Sequence, residues 1–119
     1  MENNGLPVIT RSVSAVVDTD DLLMIQREGR KLHVCTEKRE YVMYGKMQNV
    51  LQYLDSRFFR CLDGCVINLT KVRRVEKCRV VFRNGRELTL GRDSSLRVRR
   101  AFNLLLFDHG HQISSESHR

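Results

Sequence analysis

The sequence of 119 residues predicts a small, mainly β protein with two helices. Short runs of apolar and β-branched residues, separated by turn-forming residues, recur along most of the chain. Two segments break this pattern, because their apolar residues recur at the spacing of one helix face. An apolar fraction of 41% is typical of a folded chain rather than a disordered one.

The first part of the chain predicts a series of short strands. Residues 1–11 have no repeating apolar pattern, so we expect a poorly ordered lead-in there. The segment up to residue 17 is either a continuation of this lead-in or a short edge strand at 13–17. The apolar run 22–25 predicts a strand that is buried on both faces. Residues 31–35 alternate between apolar and polar positions, and 41–44 predict a further strand.

A change of period predicts the first helix, over about residues 46–55. Four apolar residues recur there at the spacing of one helix face, namely Met47, Val50, Leu51 and Leu54. After this helix come the residues 58–61, a turn at 63–64 and the apolar stretch 65–67. A strand is then predicted over 72–82, with an irregularity near 76–77.

The dipeptide Asn84-Gly85 is the strongest turn signal, and its apolar flanks at 80–82 and 88–90 predict a β-hairpin. A two-residue turn would place Arg83 opposite Arg86, and like charges in that position destabilise a strand pair. Either the loop is longer, or the two cations face water or an anion.

A closing helix is predicted over about residues 94–106. Asp93, Ser94 and Ser95 are all of residue types that cap a helix N-terminus. Residues 108–119 are polar and contain Gly and Ser, so we expect a poorly ordered tail.

The positive charge is concentrated in one part of the chain. Residues 71–100 hold 11 basic and 3 acidic side chains, whereas 1–70 are neutral overall and the whole chain carries +7. This asymmetry favours a polyanionic partner, with nucleic acid ahead of an acidic protein or an anionic membrane. The membrane alternative is the weakest, because no basic amphipathic helix with large apolar anchors is predicted.

The residue patterns argue against catalysis and against a bound metal. Cys61 and Cys65 do not have the usual spacing of a zinc pair, although His33 and Cys35 share a strand face and leave a weak metal site open. Neither a nucleophile elbow nor a Gly-rich phosphate loop is present. We therefore expect no enzyme, no cofactor and no small-molecule substrate. Without an export signal, the four cysteines are expected to be free thiols in the cytoplasm.

Several motifs follow one another in a characteristic order. A strand Asp-Leu-Leu-Met-Ile and the sequence Lys-Leu-His-Val lead to a helix with the pattern Met-x-x-Val-Leu-x-x-Leu. Phe-Phe-Arg-Cys at 58–61 and Val-Ile-Asn-Leu at 66–69 follow, and Leu-Gly-Arg at 90–92 leads into the closing helix. This ordered set resembles the LytTR family of DNA-binding domains, over one domain at about residues 12–105.

The resemblance implies a fold of short antiparallel sheets and a transcription regulator that binds double-stranded DNA. Loops would enter successive major grooves at direct-repeat sites, and members often form the effector half of a response regulator. Because the predicted domain fills the chain, we expect no attached receiver domain. Control would then come from dimerisation on DNA, from expression level or from a regulatory protein partner.

Three loops correspond to the contact loops of the family: a first loop at 29–31, a middle loop at 62–64, and a third around Arg92. The predicted DNA-binding residues are Arg30, Lys31, Arg60, Asp63, Lys71, Arg73, Arg92 and Arg97. An Arg at position 92 can donate two hydrogen bonds to one guanine, and the alternative is a salt bridge to Asp93. The resemblance implies that Asn68 serves the fold.

The middle loop departs from the family pattern. Members commonly have His, Arg or Asn and then Ser, where this chain has Asp63 and Gly64. A phosphate repels the Asp carboxylate, although that group can accept a hydrogen bond from cytosine N4. The departure leaves a second hypothesis open, in which the domain is a protein-interaction module that pairs with and modulates another LytTR DNA-binding protein.

Overall fold

The computed structural model describes residues 5–109. The chain divides into two compact units, residues 1–68 and 69–119. The mainly β class is confirmed, since ten antiparallel strands make up most of the regular structure of the described residues. A single domain over residues 12–105 stays a prediction.

The first unit contains a hairpin, a five-stranded antiparallel sheet and one short helix. Its strands are β1 (Gly5–Ile9), β2 (Ser14–Asp18), β3 (Leu22–Glu28), β4 (Lys31–Thr36), β5 (Glu40–Tyr44), β6 (Phe58–Leu62) and β7 (Cys65–Asn68), and its helix is α1 (Met47–Leu51). The hairpin joins β1 to β2, and the sheet has the order β5-β4-β3-β7-β6.

Strand β3 lies at the centre of this sheet and pairs with β4 on one side and β7 on the other. Ile25 lies opposite Val34 and also opposite Val66, and all three side chains are buried. The residues from Leu22 to Ile25 are buried throughout, as expected for a strand covered on both faces. Central pairing therefore satisfies the backbone hydrogen bonds of β3 inside an apolar environment.

One face of the sheet forms a core with the hairpin and with α1. Leu6 and Val8 of β1 are fully buried in this core, together with Met47 and Val50 of α1. Residues 5–9 therefore form a strand where the sequence predicts a poorly ordered lead-in. Leu6 and Val8 alternate with exposed residues, and the strand that they form, β1, is stabilised by its pairing with β2.

Helix α1 is one turn shorter than the prediction of 46–55. After Leu51 the chain tightens, because Tyr53 donates to the carbonyl of Val50 and Leu54 to that of Leu51, both at 3.0 Å. These i to i+3 bonds are of the 3₁₀ type and often end a helix. No side chain caps its N-terminus at Lys46.

The second unit contains a three-stranded antiparallel sheet of order β10-β9-β8 and a long helix. The strands are β8 (Val72–Glu76), β9 (Arg79–Phe82) and β10 (Glu87–Thr89), and the helix is α2 (Arg92–His109). The prediction of one strand over 72–82 is wrong, because the chain reverses at residues 77–78. Lys77 there has a left-handed φ of 55°. The predicted irregularity near 76–77 is thus a turn, which apolar periodicity does not distinguish from a bulge.

The predicted hairpin at Asn84-Gly85 is present, with a loop of three residues rather than two. Phe82 lies opposite Arg86 and donates its N–H to the carbonyl of Arg86 at 2.8 Å. Gly85 has a φ of 92°, as glycine in such loops requires. Arg83 consequently lies within the loop, and the repulsive cross-strand pair of cations does not form.

Helix α2 is longer than the predicted 94–106 at both ends. It begins at Arg92, so the predicted capping residues lie within its first turn, where the Ser95 hydroxyl donates to the Arg92 carbonyl at 2.9 Å. At its other end the helix includes residues 108 and 109 of the predicted tail, and 110–119 lie outside the described residues. Within the described range, no helix is long and apolar enough to cross a membrane.

Asn68 joins the end of β7 to the beginning of β3. Its side chain is 0% exposed, and Nδ2 donates to the carbonyl of Leu22 at 2.9 Å.

We expect Asn68→Ala to lower the free energy of unfolding by about 1–3 kcal/mol, because a buried carbonyl loses its partner. Urea unfolding measures this loss. Asn49→Ala, at an exposed position, is the matched control and should change stability by no more than about 0.5 kcal/mol. Equal stabilities for the two variants would contradict the structural role of Asn68.

Candidate nucleic-acid interface

The first and middle loops lie at the same end of the five-stranded sheet. Both β4 and β7 are antiparallel to β3, with Lys31 opposite Glu28 and Cys65 opposite Gln26. Each loop therefore lies beside the end of β3. Because two strand spacings separate β4 from β7, the loops lie about 10 Å apart.

The first loop presents two cations to solvent. Gly29 has a φ of 64°, a conformation that glycine adopts without strain and that turns the chain sharply between β3 and β4. Arg30 and Lys31 are exposed, and within residues 5–109 neither forms an ion pair. The Arg30 carbonyl accepts from the N–H of Gly45 at 3.2 Å, which fixes the backbone beneath these side chains.

A cleft of about 440 Å³ adjoins Lys31 and contains a second cation, Arg11. Thr10 fixes the turn that carries Arg11, because its hydroxyl oxygen accepts from the N–H of Val13 at 3.0 Å. Tyr44, 74% exposed, also lines the cleft. Arg11 is not among the predicted contact residues, because residues 1–70 are neutral overall and their net charge does not indicate a polyanion contact there.

The middle loop is held by Arg60. Its Nη2 and Nε donate to the carbonyl oxygen of Asp63 at 2.8 and 3.3 Å. The Asp63 side chain is exposed and has no ion pair within the described part of the chain. The predicted residues Arg60 and Asp63 are thus brought together, with Arg60 supporting the loop backbone.

Arg27 of β3 lies directly over Gly64. Its backbone N–H donates to the Gly64 carbonyl at 2.8 Å, and a Cβ on residue 64 would lie 3.3 Å from the Arg27 Cβ and 3.4 Å from its Nη2. Sequence reasoning missed Arg27, because its proximity to the middle loop follows from strand pairing and not from any local motif.

In the second unit, Lys71 and Arg73 lie beside the 83–85 loop at one end of the sheet. The Arg83 N–H donates to the Lys71 carbonyl at 2.9 Å, and Arg73 Nη2 donates to the Arg83 carbonyl at 3.4 Å. These contacts gather three basic side chains around the tip of one hairpin.

Arg92 lies at the opposite end of the same sheet. The chain leading to it is fixed where Leu90 donates to the carbonyl of Cys78, in the turn between β8 and β9, at 2.8 Å. Arg92 and Arg97 are exposed on α2. Arg92 forms no ion pair with Asp93 or any other described residue. The predicted residues of this unit therefore fall into two groups, separated by the length of β8.

Other cations of the basic segment are paired within the sheet. Arg74 binds Glu76 at 3.0 Å and Arg79 binds Glu87 at 3.3 Å. These pairs use two of the three carboxylates in residues 71–100, and neither arginine was predicted to contact DNA.

His33 hydrogen-bonds to two carboxylates. Its Nδ1 lies 2.6 Å from Glu40 Oε2 and its Nε2 lies 2.8 Å from Glu28 Oε1, and Cys35 donates to the other oxygen of Glu40 at 3.6 Å. Hydrogen bonds to Glu40 and then Glu28 raise the pKa of His33. Among the described residues no group of His, Cys, Asp and Glu is arranged to hold a metal ion.

The three thiols of the first unit, Cys35, Cys61 and Cys65, are buried. Cys61 donates to the Cys65 carbonyl at 3.5 Å, and the Cys61 thiol together with burial raises the pKa of Cys65 far above its usual range. A protonated, buried thiol is a poor nucleophile. These cysteines therefore behave as small apolar core residues.

The chain matches known proteins in both sequence and fold. A family model described as the LytTr DNA-binding domain matches residues 12–103. A solved structure, the LytTr DNA-binding domain of a methyl-accepting/DNA response regulator from Bacillus cereus, has 13% sequence identity and a TM-score of 0.71. The match covers 84% of this chain and 97% of that one. No curated protein matches the sequence.

The pairing of His33 makes stability depend on pH. Its pKa is above the ordinary value of 6.5, so the protonated ring stabilises the fold below that pH, and this contribution is lost as pH rises through the folded-state pKa. We expect the difference in unfolding free energy between the unchanged chain and His33→Gln to shrink from about pH 6 to about pH 9. Denaturant titrations at both values measure it.

Glu28→Gln is the companion variant, because it removes one of the two carboxylates and should retain part of the pH dependence. A difference between the unchanged chain and His33→Gln that is the same at both pH values would contradict this assignment.

Proposed function

Since this chain belongs to the LytTR family of DNA-binding domains, we propose that it regulates transcription by binding a specific sequence of double-stranded DNA. The strongest support is the common position of the first and middle loops at one end of the sheet. Arg30 and Lys31 project there without ion pairs in the described chain, so their charge is available to a polyanion.

The predicted residues divide into two roles. Arg30, Lys31, Lys71 and Arg73 are suited to phosphate contacts, which fix the position of a protein on the duplex without reading its sequence. Arg92 is suited to base reading, because an exposed guanidinium can donate to both O6 and N7 of guanine. Arg97, one turn further along α2, adds positive charge near the same groove.

The middle loop would read bases with its carboxylate. Arg60 holds the loop by its backbone, which leaves the Asp63 carboxylate exposed. That group can accept a hydrogen bond from cytosine N4, a mode that few side chains supply. A site read by this loop should therefore contain a cytosine at the position that the Asp63 carboxylate reaches.

We further propose that the loops enter successive major grooves at direct-repeat sites. Two copies of the chain would then bind one site, one copy per repeat, as a homodimer that assembles on DNA. Half-sites one helical turn apart, about 10 base pairs, would bring both copies to one face of the duplex. Transcription would be controlled by this assembly or by a regulatory protein partner.

A second candidate function is favoured by the chemistry of the middle loop. Leu62 is 47% exposed beside the exposed Asp63, and this pair of an apolar and an acidic side chain could contact a protein partner. In this alternative the domain pairs with another LytTR protein and modulates it. Purified chain with no duplex affinity at low salt, but a stable complex with a second LytTR protein, would favour this alternative over direct DNA binding.

Arg92 provides the sharpest test of sequence reading. We expect Arg92→Ala to lose about 1–3 kcal/mol of discrimination at one base pair of the site, since one bidentate contact is removed. Arg92→Lys keeps the charge but not the two parallel donors, so it should recover non-specific affinity and not the base preference. Fluorescence anisotropy with single-base variants of the selected site measures both quantities.

Lys38→Ala is the control for loss of one positive charge, because Lys38 is exposed in the turn between β4 and β5, at the end of the sheet opposite the first loop. Unchanged base preference in Arg92→Ala would refute the proposed role of Arg92.

A further inference from the structure

We propose that Arg27 supplies the cation with which the middle loop contacts a DNA phosphate, and that Gly64 is the residue that makes room for it. This inference rests on the proposed function and deepens it. It assigns the contact to a residue of β3 that lies outside the loop in sequence and beside it in space.

The glycine at position 64 is explained by the limited room for a side chain there, and not by its backbone conformation. The glycines with a left-handed φ in residues 5–109 are Gly29 and Gly85, so Gly64 has a backbone that other residues also adopt. A Cβ at this position would instead lie unusually close to the Arg27 Cβ, at 3.3 Å, and in van der Waals contact with the guanidinium, 3.4 Å from Nη2 and 3.5 Å from Cζ. The missing side chain of residue 64 thus leaves the site over the loop to the guanidinium of Arg27.

The position of Arg27 leaves its donors available. The side chain is exposed, and within the described part of the chain its guanidinium forms neither a hydrogen bond nor an ion pair. A guanidinium carries five N–H donors and matches the geometry of a phosphate. Arg60, the other arginine at this loop, already uses two of its nitrogens on the Asp63 carbonyl.

The charge of the loop requires such a cation. In sequence the middle loop carries only the negative charge of Asp63, which repels a phosphate. In space Arg27 lies against Gly64 and Arg60 donates to the Asp63 backbone carbonyl, so two cations accompany the single carboxylate of the loop. A cation beside Asp63 offsets the repulsion between its carboxylate and the DNA phosphates. The loop can then approach the DNA backbone closely enough for the carboxylate to reach a base edge. We therefore assign Arg27 to a phosphate and leave base reading to Asp63.

The test combines salt dependence with a double-mutant cycle. Duplex affinity is measured by anisotropy over a range of salt concentrations, on a selected site and on an unrelated duplex, for Arg27→Ala, Arg27→Lys and the charge control Lys38→Ala. We expect Arg27→Ala to weaken binding by a similar factor on both duplexes and to reduce the slope of log affinity against log salt by about one. Arg27→Lys and Lys38→Ala should keep the slope of the unchanged chain.

The role of Gly64 is tested by Gly64→Ala alone and together with Arg27→Ala. The added methyl should shift the Arg27 side chain and weaken binding when Arg27 is present, and the effect should be smaller when residue 27 is alanine, because only the contact with the Cβ of residue 27 at 3.3 Å then remains. Circular dichroism and thermal unfolding check that each variant folds. If Gly64→Ala does not fold, the Arg27 variants still decide the proposal.

Three results would overturn the inference. Arg27→Ala with the same salt slope as Lys38→Ala would exclude the phosphate contact while leaving DNA binding intact. Loss of preference at a single base pair in Arg27→Ala would assign the residue to a base instead. Absence of duplex binding by the unchanged chain would overturn both this inference and the proposed function.

Discussion

The structure of the first unit depends on the pairing of β3 on both sides. Its apolar residues from Leu22 to Ile25 are buried on both faces, so the backbone N–H and C=O groups of these residues need partners within the protein. Strands β4 and β7 supply those partners, and the side chain of Asn68 satisfies the carbonyl at the beginning of β3. Because both neighbours are antiparallel to β3, the two turns that lead into them lie together. The candidate interface is a consequence of how the core is hydrogen-bonded.

Paired and unpaired cations have different roles in this chain. Arg57 hydrogen-bonds to Asp55 at 2.9 Å and to Asp20, and its guanidinium lowers the pKa of Asp55, so it fixes the segment between α1 and β6. The cations at the first loop have no ion pairs among the described residues. An exposed cation without a partner adds little to stability, and its charge is available to neutralise a phosphate.

The sequence predicts most of the strands and little of how they are arranged. The strands at 22–25, 31–35 and 41–44 are recognisable from the sequence because their apolar patterns report burial directly. The chain reversal at 77–78 is not recognisable from the sequence, because apolar and polar residues alternate in the same way through a tight turn as through a bulge. Arg27 was missed for a related reason: its position over Gly64 depends on the register between β3 and β7. Net charge along the chain likewise does not reveal Arg11, because residues 1–70 are neutral overall while the acidic residues that balance its charge in this count lie elsewhere in the structure.

The central claim is that strand-end loops of this domain read a defined DNA sequence. Selection of bound duplexes from a random pool tests it most directly, because the method assumes neither the site nor the contact residues. We predict enrichment of one motif that occurs as a direct repeat, with half-sites about one helical turn, or 10 base pairs, apart. Retention of duplexes without any enriched motif, or no retention at low salt, would contradict the claim.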